Sequence, residues 1–202
     1  METNPSPWRP VPVVCRILCS NVQGLAGNLS DLTVASYQYD VLFCSETLAS
    51  DMHHVSKLLI PGFGRTVLLC WGKMPWALET SAYVRDGFGA FRQQKFECGC
   101  CKMLVFRVCG VRQNLYVYSL YRNPDLDDRI FDCLLAPMAV VQAEDVRASF
   151  LFTGDLNGHH HEWLGSMNTN LQRVAAFDFA TISDYNQLGL SAQPMHVVEH
   201  LT

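Results

Sequence analysis

No run of apolar residues in this 202-residue chain reaches the length that crosses a bilayer, and the opening METNPSPWRP lacks the basic start and apolar centre of a secretion signal. An intracellular protein with no membrane partner is therefore expected. There is no internal repeat, low-complexity tract or linker, which argues for one domain. Basic excess is missing too: the formal net charge is −4, which counts against a module that binds nucleic acid by bulk charge but leaves room for an enzyme that meets phosphate through a local site and a metal ion. Charged residues make up only 17% of the chain against 49% hydrophobic, the balance of a packed domain rather than a disordered one.

Cysteine is plentiful, but the nine residues are an odd number. Cys15, Cys19, Cys44, Cys70, Cys109 and Cys133 sit among Val, Leu, Ile and Phe, where thiols ordinarily just pack. Cys98, Cys100 and Cys101 in FECGCCKM are clustered, but no second cluster stands at the spacing that a four-ligand zinc site needs.

Short β-rich runs recur between Gly, Pro, Asn and Asp: PVVCRILCSN, DVLFCSE, RTVLLCW, SAYVRDG, KMLVFRVCG, LYVYSLY and ASFLFTGDLN. Helical spacing of apolar residues marks LSDLTVASYQY, DLDDRIFDCLLAPMAVVQAED and NLQRVAAFDFATISDY, with Asp125 or Asp127 placed to cap the second. The order of strands and helices predicts an α/β (α+β) domain of sheets covered by helices, not a barrel or a bundle.

Three of these strands end in polar residues that packing does not call for: Asn21 after VCRILCS, Glu46 after VLFCS, and Asp155 with Asn157 after SFLFTG. Singly, each has an ordinary explanation as a turn or cap. Together, an Asn, a Glu and an Asp-x-Asn at the carboxyl ends of core strands offer oxygen ligands suited to a hard cation that keeps waters and bridges to phosphate, as Mg²⁺ does, with Mn²⁺ as a substitute. His159, His160 and His161 are consecutive, so their side chains diverge, and a zinc site is not expected. Trp163, Phe177 and Phe179 are read as core.

ILCSNVQGL, DVLFCSETL, YVYSLYRNPD and FLFTGDLNGHHHEWLGS, in that order, resemble the endonuclease/exonuclease/phosphatase superfamily, and most of all the apurinic-type endonuclease domain of non-LTR retrotransposons. The resemblance covers about residues 13–188; its most specific element is GDLNGHH followed by Trp163 and Asn170. It implies a four-layer αββα sandwich and a Mg²⁺-dependent endonuclease that nicks DNA, nuclear, with a reverse transcriptase domain in the full-length element. By position, it implies that Glu46 and Asn21 bind the metal, with Glu46 the direct ligand. Asp155 orients or deprotonates the attacking water, and Asn157 positions it. Tyr121 contacts the scissile phosphate, while Arg122, His160 and Asn170 reach phosphate or DNA. Two alternatives stand beside this reading: a phosphatase acting on phosphoinositides or other small phosphate esters with the same fold, and a non-catalytic remnant of a retrotransposon.

The family pattern also includes a Pro-Thr-His strand, a Gly-Gly, a Leu-Asp-Leu and a closing Ser-Asp-His that this sequence lacks. Residues 1–12 read as a lead-in and 189–202 as an aberrant tail. With suitable codons, LSAQPMHVVEHLT translates in another frame as Val-Gly-Pro-Thr-His-Ala-Arg-Gly-Gly-Thr-Leu-Asp, so a frameshift near Leu188 to Leu190 is expected, with the domain incomplete at its C-terminus and its activity weak or absent.

Overall fold

The computed structural model describes residues 14–47, 58–70, 78–97, 102–110, 113–121, 130–155 and 195–200. Within them run β1 (Val14–Asn21), α1 (Leu25–Ser36), β2 (Val41–Ser45), β3 (Arg65–Cys70), β4 (Leu78–Val84), β5 (Ala90–Arg92), β6 (Lys102–Cys109), β7 (Asn114–Tyr121), α2 (Ile130–Glu144), β8 (Ser149–Asp155) and β9 (Met195–His200). One sheet has the order β3-β4-β2-β1-β9 and the other β5-β6-β7-β8. Each contains one parallel pair joined through a helix, β1–α1–β2 in the first and β7–α2–β8 in the second; the remaining pairings are antiparallel.

Alternation along the strands separates the two faces of each sheet. Cys15, Ile17, Val41, Phe43, Ala82 and Val84 from the first sheet meet Leu104, Phe106, Val108, Leu115, Val117 and Leu151 from the second in one buried layer. The rings of Phe43 and Phe106 meet edge to face, with centroids 5.6 Å apart. The opposite face of the first sheet, with Leu18, Leu42, Cys44 and Tyr83, packs with Leu25 and Leu32 of α1. The opposite face of the second, with Met103, Val105, Tyr116, Tyr118 and Leu120, packs with Leu134, Met138 and Val141 of α2. The result is the helix–sheet–sheet–helix sandwich that the family resemblance implies.

The structure departs from the sequence reading in several places. Helix α1 begins at Leu25, four residues ahead of the periodic stretch, because its first turn is anchored without a capping side chain at the N-cap: Gly24 N–H donates to the Glu46 carbonyl at 2.9 Å and Leu25 N–H to the Thr47 carbonyl at 2.8 Å. The Asn28 amide adds bonds to the carbonyls of Val22 and Gly24. At the other end no glycine stops the helix; the Arg85 guanidinium instead donates to the carbonyls of Ser36 and Tyr39. Helix α2 runs through Pro137, which removes one backbone donor, and the burial of Leu134, Met138 and Val141 holds it in place. Its proposed caps, Asp125 and Asp127, lie outside the described residues, as does the third helix. Cys133 is disulfide-bonded rather than merely packed, whereas Cys15, Cys19, Cys44 and Cys109 are in no disulfide. No helix among the described residues is long and apolar enough to cross a membrane.

Candidate functional site

Parallel pairing brings strands to the same end of a sheet, so the polar residues that close β1 and β2 are neighbours, as are those that close β7 and β8. Asn21 stands opposite Ser45, the residue before Glu46, and Tyr121 stands opposite Asp155. Across the sandwich β8 lies against β1 and β2, and β7 against β2 and β4. Asn21, Glu46, Tyr121 and Asp155 are thereby carried to one rim, the carboxyl ends of two facing parallel pairs, where open α/β sheets commonly assemble sites. Asn157, Arg122, His160 and Asn170 lie outside the described residues.

Local backbone conformation departs from the ordinary at this rim. Glu46 has φ 52°, in the left-handed region that a non-glycine residue rarely occupies. Its carbonyl is fixed by Gly24 N–H, and the flanking Ser45 carbonyl accepts from Val22 N–H at 3.0 Å. The left-handed turn breaks the strand alternation that would otherwise send position 46 to the α1 side of the sheet. Such conformations persist only where the surroundings enforce them, and they cluster at functional sites. Asn21 both closes β1 and shapes the next turn: its Oδ1 accepts from Gln23 N–H at 3.2 Å. Glu46 is half-buried and Asn21 exposed.

The second parallel pair depends on Gly154, at φ 118°. A Cβ there would stand 1.9 Å from the Leu120 carbonyl oxygen of β7, so only glycine lets β8 keep its register through to Asp155. In the GDLN motif, then, the glycine is what brings the aspartate backbone alongside Tyr121.

Directly beneath the rim, the inter-sheet layer changes character. Cys19, Ser45, Thr80, Ser119 and Thr153 continue the inward-facing series of their strands, all buried, where the next positions down are Ile17, Phe43, Ala82, Val117 and Leu151. The Cys19 thiol is pushed up to about 12 by burial, an effect the nearby Thr153 hydroxyl eases. On the outer face of the same sheet, burial pushes the Cys44 thiol up to about 12 as well. Neither thiol is a nucleophile at neutral pH. This hydroxyl layer escaped the sequence reading, although a small polar residue two positions before a strand-end Asn, Tyr or Asp was the signal available.

No family model matches the chain, and no curated protein matches it. Solved structures do. The endonuclease domain of TRAS1, a telomere-specific non-LTR retrotransposon, superposes with a TM-score of 0.61 at 15% identity, over 84% of this chain and 72% of that domain. An AP endonuclease from Leishmania major superposes with a TM-score of 0.62 at 13% identity, over 83% of this chain and 66% of that one. An endonuclease/exonuclease/phosphatase family protein from Leptotrichia buccalis gives 0.53 at 13% identity, over 82% and 73%. The chain therefore has the endonuclease/exonuclease/phosphatase fold.

Proposed function

We propose that the chain is a Mg²⁺-dependent endonuclease that hydrolyses DNA phosphodiester bonds, of the type that nicks target DNA for a non-LTR retrotransposon. The observation that carries this reading is the convergence of Asn21, Glu46, Tyr121 and Asp155 at one rim of a fold whose solved examples include a retrotransposon endonuclease domain and an AP endonuclease.

The donor set suits a hard cation. A carboxylate at Glu46 and an amide oxygen at Asn21 are the ligands that Mg²⁺ or Mn²⁺ prefers, and buried thiols held protonated do not compete for it. When bound, the metal would supply positive charge to the non-bridging phosphate oxygens. Asp155 takes a proton from a water as its oxygen adds to phosphorus, and the bond from phosphorus to the leaving sugar oxygen breaks. The Tyr121 hydroxyl and the amides of Asn21 and Asn157 donate hydrogen bonds to the phosphate as charge gathers on it. Arg122, His160 and Asn170 are assigned to the DNA backbone. Within this reading the protein works in the nucleus beside a reverse transcriptase domain.

Mn²⁺ binding followed by electron paramagnetic resonance, alongside plasmid nicking in Mg²⁺, tests the assignment. Glu46→Gln should lose most Mn²⁺ affinity and Asp155→Asn should abolish nicking while still binding the ion. A Glu46→Gln protein that binds Mn²⁺ as the parent does would end the metal assignment; release of phosphate from small esters without nicking would shift the substrate to the phosphatase class.

A further inference from the structure

The hydroxyl layer beneath the rim has a feature that packing does not explain. Thr80 is 1% exposed and Thr153 5% exposed; the Thr80 Oγ1 has no hydrogen-bond partner among the described residues, and the Thr153 Oγ1 has only the weakly bonding Cys19 thiol beside it. An orphaned buried hydroxyl is unfavourable, and an isosteric Val would fill the same volume without that cost. Both are placed on the inward face, Thr80 opposite Ser45 and Thr153 opposite Ser119, one pleat below the strand ends. Cys19, Ser45, Ser119 and Thr153 are smaller than Ile17, Phe43, Val117 and Leu151 one layer down, while Thr80 stands above Ala82, so this layer is more polar than the one below and less bulky at four of its five positions. Polar, roomy and enclosed are the conditions under which internal water is retained, each molecule making about three hydrogen bonds.

We infer that Thr80 and Thr153, with Ser45 and Ser119, form a hydrated hydroxyl floor whose bound waters hold the strand-end residues Asn21, Glu46 and Asp155 from below. Thr80 and Thr153 are positioning residues: they act through water on the groups above them and touch no substrate. What they position rests on the phosphodiesterase reading; that they are hydrated rests on burial and chemistry alone.

The test compares Thr80→Val and Thr153→Val with Thr80→Ser and Thr153→Ser in the full chain, by melting temperature and by Mn²⁺ titration. A hydroxyl bonded to water is missed when it is removed, so each Val variant should melt about 2–4 °C lower and bind Mn²⁺ on the order of tenfold more weakly. Each Ser variant should recover the affinity and most of the melting temperature. A Val variant that melts at or above the parent temperature overturns the floor, because it shows a dry hydroxyl better replaced by a methyl. A Ser variant as unstable as its Val counterpart also overturns it, by tracing the loss to methyl packing. Lower melting with unchanged Mn²⁺ affinity overturns the positioning role. If the parent chain binds no Mn²⁺ at all, the metal assignment above fails, while the melting comparison still decides the floor.

Discussion

The molecule builds the same unit twice, strand–helix–parallel strand, and sets the two copies face to face; they differ in which residue takes a positive φ near the end of each return strand. In β1–α1–β2 the turn is made by Glu46, a side-chain-bearing residue forced to φ 52° and clamped through its carbonyl to the start of α1. In β7–α2–β8 the positive φ falls inside the strand, at Gly154, which pairs with Leu120 and has no Cβ to collide with it. The first unit keeps a side-chain-bearing residue in a strained conformation; the second removes a side chain so that the following carboxylate residue falls in register. A positive φ thus has two meanings in one protein, and the residue that adopts it tells them apart.

The sharpest way to break the second unit is Gly154→Ala. Its added methyl meets backbone rather than a yielding side-chain tip, and the φ penalty adds to the clash, so a loss of about 3 kcal/mol or more is expected in urea denaturation. A variant as stable as the parent would show that β7 and β8 do not pair this closely.

The first unit is distinguished by its buried thiols, and alkali probes them. Cys19 and Cys44 are raised from 9.0 to about 12 by desolvation, so the unfolded chain releases these protons first. Their contribution is complete below pH 9 and is lost as pH rises towards 12; Tyr83, also raised by burial, acts in the same direction. Denaturation midpoints should fall across that window, and Cys19→Ala with Cys44→Ala should flatten the fall relative to the parent.

The smallest effect is also the most diagnostic. Glu46→Gly relieves the left-handed strain and should raise stability by about 0.5–1 kcal/mol, net of the extra freedom glycine gives the unfolded chain. Mn²⁺ affinity should collapse in the same variant. Stability and affinity falling together would mean that the conformation at position 46 is not a strained one.

The strands that carry a continuous apolar or alternating run, such as VLFCS and LYVYSLY, were readable from sequence because burial writes its period into them. Asn21, Glu46 and Asp155 were readable because each interrupts such a run. Strand β5 was missed: Ala90–Arg92 is three residues long, too short for any period to register. The start of α1 was missed because its anchors are the Glu46 and Thr47 carbonyls, more than twenty positions away, rather than a local capping residue. The Cys133 disulfide was missed because neighbours in sequence say nothing of which sulfur lies across the fold. The hydroxyl floor was hidden for a related reason: Ser45, Thr80, Ser119 and Thr153 come from four strands and become one layer only when the sheets stack.

Residues 195–200 lie in the segment that sequence sets apart from the family pattern, yet they give β1 its second neighbour, from Val14 opposite His200 to Cys19 opposite Met195. With that strand in place, the polypeptide leading to Asn21 is interior to its sheet. Peeled away, it would leave the backbone donors and acceptors along one side of β1 facing water in a row, a ready template on which another chain could add itself. Protection of that side of β1 is therefore tied to six residues at the far end of the sequence.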